Sequence, residues 1–129
     1  MSIDTLNTWH ELVRSRRAGG LDELLADDIV FHSPVMHTAQ VGKAIAKQYL
    51  AAAFAVFSAP SFRYVREVRG AHDAVLEFVV EIDGVTVNGV DMIRWNERGE
   101  IDDFKVMLRP LKAVNLIHQK MGAMLAARL

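Results

Sequence analysis

Between residues 62 and 108 the sequence alternates apolar and polar side chains with a period of two, and this stretch restricts the possible folds more than any other. Such a period puts successive side chains on opposite faces of an extended chain, so it predicts strands. Turn signals at Gly70, Asp83-Gly84 and residues 96–99 divide it into four successive antiparallel strands. Asp83-Gly84 also fixes a register, because a two-residue hairpin of this type needs positive φ at both central positions, which Asp tolerates and Gly prefers. Ile82 then lies opposite Val85, Phe78 opposite Gly89, Leu76 opposite Asp91 and Asp73 opposite Arg94, the last as an exposed ion pair.

That register makes one face of the hairpin apolar except for Asp91. Aspartate has poor strand propensity and is rarely buried, so its position in Val87-Asn88-Gly89-Val90-Asp91-Met92-Ile93 calls for a reason. If the next turn pairs Trp95 with Glu100, the acid also faces Phe104. Gly89 on the same face removes a side chain opposite Phe78 and leaves room. An acid beside a gap on an apolar surface has the make-up of a ligand pocket. The alternative is scaffold: Asp91 bonded to a buried hydroxyl, or facing solvent in a register shifted by one.

The remaining elements are helical, apart from one short strand. Asp4 can cap a first helix running to about Ala18, with Leu6, Trp9 and Val13 on one face and Gly19-Gly20 as its stop. A helical turn over 21–26 leads into the strand-forming Ile29-Val30-Phe31-His32-Ser33, ended by Pro34. Gly42 opens a second long helix to about Phe57, whose last part is apolar almost all round. Pro110 starts a closing helix with Leu111, Val114, His118, Met121 and Leu125 on one stripe. The length of 129 residues suits one domain over 1–129, and 51 % hydrophobic residues with three prolines exclude a disordered chain. The expected fold class is α+β, with helices covering one face of a twisted antiparallel sheet.

Fifteen Lys plus Arg against sixteen Asp plus Glu leave a net charge of −1, which supplies no field for nucleic acid. The longest apolar run, residues 49–57, falls far short of the ~20 residues of a bilayer span, so no membrane partner is expected. No cysteine is present, excluding thiolate chemistry and cysteine-ligated metals. His10-Glu11-Leu12-Val13-Arg14 has Arg where a zinc-protease helix needs its second His, so neither metal nor other cofactor is expected. With no secretory signal visible, the location expected is cytoplasmic.

Taken together, residues 24–35 (LLADDIVFHSPV), Gly42-Lys43-Ala44-Ile45 and Gly89-Val90-Asp91-Met92-Ile93-Arg94-Trp95 resemble the SnoaL-like branch of the nuclear transport factor 2-like superfamily. The stretch 104–111 (FKVMLRPL) resembles the end of that domain, so the resemblance covers the whole chain. It implies a cone, in which a curved antiparallel sheet wraps helices around an apolar cavity, often in subunits paired through the outer sheet face. The superfamily includes ketosteroid isomerase, polyketide cyclases, epoxide hydrolases and non-catalytic domains, so fold does not settle function. The resemblance places the isomerase's oxyanion-hole acid on Asp91, its general-base Asp on Ser33 and its helix tyrosine on Leu12. Two of three groups are absent, which argues against steroid isomerisation of that kind. The epoxide hydrolase pattern asks for Arg and Asp where Gly89 and Val106 stand, which argues against that activity too.

Tyr49 brings a hydroxyl into the apolar helix; it either bonds Asp91 or is a core tyrosine bonded to backbone. Trp9 and Met36 are expected as pocket walls, Ser33 shares the inward face with Phe31, and His37 is either a base at the pocket mouth or an ordinary loop residue. The candidate catalytic residues are thus Asp91 and His37, and the ligand-binding set is Trp9, Ser33, Met36, Tyr49, Phe78, Gly89, Phe104 and Val106. Two functions fit: a pocket protein acting as an acid/base isomerase, cyclase or hydrolase on a small apolar organic substrate, or a non-catalytic ligand-carrier or dimerisation module. Val79, Val90, Met92 and Met107 on the outer sheet face predict a homodimer through that face.

Overall fold

The computed structural model describes residues 3–128. Helix α1 (Ile3–Ser15) turns Leu6, Trp9 and Leu12 inward; the side chain of Asp4, expected as its cap, lies outside the described residues. The helix ends earlier than the glycine pair predicts, because Arg16 takes a left-handed backbone (φ 55°) before the 3₁₀ turn Ala18–Gly20. A short α2 (Leu21–Leu24) leads directly into β1 (Leu25–His32), which begins four residues before Ile29. After β2 (Gln40–Val41), Gly42 at φ 110° opens α3 (Lys43–Val56), where that backbone angle favours glycine. Ala46, Leu50, Ala51 and Ala52 are its buried face, while Ala55 is exposed.

The period-two region forms β3 (Arg63–Arg69), β4 (Asp73–Ile82), β5 (Val85–Trp95) and β6 (Ile101–Arg109), as expected. The β4–β5 register follows the hairpin derivation from Asp73 opposite Arg94 to Ile82 opposite Val85, with Asp83 and Gly84 both at positive φ. The β5–β6 register differs. Asn96 Oδ1 accepts from the amides of Arg98 and Glu100, which lengthens the turn so that Trp95 pairs with Ile101. A bulge next to Trp95 then frees Asp102 to take Arg94 at 3.1 Å, so Arg94's ion pair is with Asp102 and not with Asp73. Asp91 consequently sits opposite Val106, and Phe104 opposite Ile93.

The six strands lie in the order β2-β1-β6-β5-β4-β3. The sheet is mixed, which corrects the all-antiparallel expectation: β1 runs parallel to β6, with Phe31 beside Phe104. It is an α+β cone, a curved, unclosed sheet with helices against its inner face. Helix α4 (Leu111–Arg128) follows Pro110 but presents a different stripe from the one expected. Ala113 and Ile117 are buried, with Leu116 and Met121 beside them, while Leu111 is 73 % exposed and His118 points outward. The helix is apolar on more than one side, so its own spacing does not decide which stripe faces the sheet. Among the described residues no helix is long and apolar enough to cross a membrane.

The inner face holds two apolar clusters. One gathers Phe78, Val80, Ile82 and Val87 under Ala113 and Ile117. The other joins Leu6, Trp9 and Leu12 of α1 to Leu76, Ile93, Phe104 and Ile101. Burying each large side chain of this kind contributes about 1.5 to 3 kcal/mol.

Candidate functional site

A cavity enters the sheet's concave side between α1, α3 and the strands, with about 550 Å³ of empty space including the solvent in its open mouth. Phe78, Phe104 and Val106 form its sheet wall, and Leu50, Ala53 and Phe54 of α3 with Phe57 at the helix's C-terminal cap form the facing wall. Trp9 and Val13 reach in from α1, Tyr64 from β3 and Phe62 from the position just before that strand. Most of the rings meet at tilted or edge-on angles, with centroids 4.9 Å apart for Trp9 and Phe104, 5.6 Å for Trp9 and Phe54 and 5.5 Å for Phe57 and Phe78, while Phe62 stacks on Phe78. Polarity enters at two ends, with Asp91 and Tyr64 at depth and the exposed Arg16 at the rim.

Asp91 faces this cavity and is only 7 % exposed. Tyr64 donates its hydroxyl to Asp91 Oδ2 at 2.7 Å, and Trp9 Nε1–H donates to the Tyr64 oxygen at 3.1 Å. The three groups come from β5, β3 and α1, so only the folded chain assembles them. Burial disfavours the carboxylate and pushes Asp91 up to about 7, against an ordinary value of 3.8, while the Tyr64 hydrogen bond partly opposes the rise. Burial and the neighbouring Asp91 charge raise the Tyr64 phenol well above its usual range, so it serves as a donor. Asp91 near neutrality therefore exists as both acid and base, the condition under which proton transfer in either direction is efficient.

Of the residues singled out from the sequence, Trp9, Phe78, Asp91, Phe104 and Val106 all line this cavity. Five others do not. Gly89 is buried, but its vacant side-chain position is already filled: a Cβ there would lie 2.5 Å from Phe78 Cζ and 2.7 Å from Leu108 Cδ2. Tyr49 packs at a tilt against Phe31 and directs its hydroxyl to Met36 Sδ at 3.7 Å, a partner that is neither Asp91 nor the backbone. Met36 is itself exposed, as is His37. Ser33 Oγ accepts the Val35 amide at 3.2 Å within its own turn.

Tyr64 is the group that sequence reasoning missed. Alternation from Phe62 places Tyr64 on the same inward face, and that signal was obscured by the arginines around it. A bulge between Tyr64 and Arg66 then changes the face presented further along β3. Arg16 was missed because the helix was expected to run past it. Among the described residues, no group of three or more His, Cys, Asp or Glu is placed to hold a metal ion.

A curved sheet closed by helices over an aromatic cavity with one deep acid defines a cone-shaped pocket domain of the nuclear transport factor 2-like kind. The chain belongs to the SnoaL-like domain family, whose sequence model matches residues 6–104. It is similar to a steroid delta-isomerase from Pseudomonas aeruginosa, with 35 % identity and a TM-score of 0.93 over 98 % of this chain and 93 % of that one. A cystatin-like-fold protein from Silicibacter pomeroyi shares 32 % identity, with a TM-score of 0.85 over 92 % and 83 % of the two chains. A nuclear transport factor 2-like protein from Mesorhizobium loti, of unknown function, shares the fold at 17 % identity, with a TM-score of 0.72 over 84 % and 91 %. No curated protein matches the chain by sequence.

Proposed function

We propose that this protein binds a small, mainly apolar organic molecule in the cavity and acts on it by acid–base chemistry, with Asp91 as proton carrier. The reaction class is isomerase, cyclase or hydrolase. The observation that carries this reading is one buried carboxyl, raised to about 7, at the depth of an aromatic cavity and held by Tyr64. Its carboxylate form takes a proton from a carbon beside a carbonyl, and the resulting acid returns it at the same or a neighbouring carbon. Tyr64 holds the carboxyl in place through the transfer.

Similarity to a protein named a steroid delta-isomerase supports an isomerisation of this proton-transfer type. In this chain Ser33 and Leu12 stand where the resemblance asks for a base and a tyrosine. Ser33 is outside the cavity lining and Leu12 is core, so Asp91 has to carry out both proton steps itself. The same scarcity of acids favours a second reading, a non-catalytic ligand carrier in which Asp91 only anchors the ligand. In either case the chain is proposed to be cytoplasmic and to pair as a homodimer through the outer sheet face, where Met92 and Met107 are exposed.

Solvent-deuterium exchange into the α-carbons of small apolar ketones, followed by NMR, separates the two readings. The catalytic reading expects exchange with the wild type and none with Asp91→Asn, while both forms bind 2-naphthol in calorimetry. Binding without exchange in the wild type leaves the carrier; failure of the wild type to bind or exchange any of these compounds removes the cavity as a ligand site.

A further inference from the structure

We infer that Arg16 selects, among the apolar molecules the cavity admits, those carrying a carboxylate at the end opposite the group that meets Asp91. This rests on the cavity being a ligand site, as proposed above, and adds the ligand's charge and orientation.

Arg16 is the one cationic side chain among the residues lining the cavity. Its left-handed backbone, uncommon for a residue with a side chain, ends α1 at the rim. The guanidinium is carried to Ala59, in the segment after α3, where Nη2 donates to the carbonyl at 3.3 Å. That long bond uses one of five N–H donors. Arg14, Arg66, Arg69 and Arg94 each have a carboxylate partner; Arg16, like Arg17, Arg63, Arg98 and Arg109, has none among the described residues, and of these five only Arg16 lines the cavity. A planar fork free to pair, beside apolar walls that exclude water on one side, matches a carboxylate in two parallel hydrogen bonds.

The opposite end sets the other requirement. Asp91 and Tyr64 are deep in the cavity, and Asp91 in its acid form donates to a carbonyl or hydroxyl oxygen. Between the two ends the lining is almost wholly rings and aliphatic groups, including Phe54, Phe62, Phe78 and Phe104. The ligand class that fits is a flat cyclic or aromatic acid, with the carboxylate at the mouth and an oxygen function at the far end.

The test uses calorimetry at pH 7 on the full chain, with 2-naphthol and 6-hydroxy-2-naphthoate as probes. They share the ring and hydroxyl and differ in the carboxylate. The wild type is expected to bind the naphthoate about tenfold or more tightly than 2-naphthol, a gain typical of a charge-assisted hydrogen-bonded pair. Arg16→Gln is expected to bring the two affinities within about twofold of each other; Arg16→Lys, which keeps the charge without the fork, retains part of the preference. Equal affinities in the wild type, or a preference surviving in Arg16→Gln, overturn the assignment of Arg16 and leave the cavity reading standing. If the wild type binds neither probe, both fall together.

Discussion

The inner face of the sheet starts from similar residues at its two ends and finishes differently. Around Phe78, Val80, Ile82 and Val87 the space is closed by α4, where the small Ala113 allows close approach and Ile117 fills what is left. Around Trp9, Phe54 and Phe104 the covering groups are rigid rings at tilted angles, which leave space between them. Phe78 marks the boundary: its ring lies across Gly89 and also lines the cavity. One end is therefore spent on stability, and the other keeps an open volume and an acid that burial makes costly to ionise.

The two ends differ most in the acid. Asp91 in the folded state holds its proton to about pH 7, while the unfolded chain loses it near 3.8. Between those values the folded state binds more protons, so this group's contribution to stability is complete below 3.8 and is lost as pH rises through 7. Three pH units correspond to about 4 kcal/mol. Urea denaturation of the wild type and Asp91→Asn at pH 4 and pH 8 should show their difference moving by roughly that amount, in favour of the variant at pH 8. A difference that does not change with pH means that Asp91 is not desolvated.

Truncations at the two ends come next. Ile117→Ala is expected to cost about 3 kcal/mol because it opens a void in a closed cluster. Val106→Ala only widens an existing cavity beside a half-buried wall and should cost about 1 kcal/mol. Equal losses would mean that both ends are packed alike. Tyr64→Phe is expected to cost about 1 to 2 kcal/mol, between the two truncations, since it leaves Trp9 Nε1 and Asp91 Oδ2 without their shared partner. Because the Tyr64 hydrogen bond lowers the Asp91 pKa, its removal should move the carboxyl titration, followed by NMR, to higher pH. A downward move would reverse the assigned electrostatics.

The parts of this molecule that were legible in the sequence are those fixed by local chemistry. Asp83-Gly84 carries its own turn geometry, so the register through Leu76 and Asp91, and hence the inward acid, follow from a single dipeptide. The parallel pairing of β1 with β6 has no such local signal, because it joins segments some seventy residues apart, as Phe31 and Phe104 show. The Asn96 turn depended on a side chain taking two backbone amides, which shifts Asp91 from Phe104 to Val106. The phenol beside Asp91 is also a tertiary outcome: Tyr49 and Tyr64 are both aromatic positions near apolar runs, and only the path of β3 across the cavity decides between them.

β3 has one more property, which bears on how copies of the molecule avoid one another. It is an edge strand of seven residues, RYVREVR, and its outer hydrogen-bonding side has no partner strand among the described residues. If two copies paired antiparallel along this edge about its middle residue, Arg63 would face Arg69 and Arg66 would face its own counterpart. In that register like charges lie directly opposite one another and repel. That repulsion opposes edge-to-edge addition of a second copy in this register, and replacing the arginines with threonine or valine would remove it.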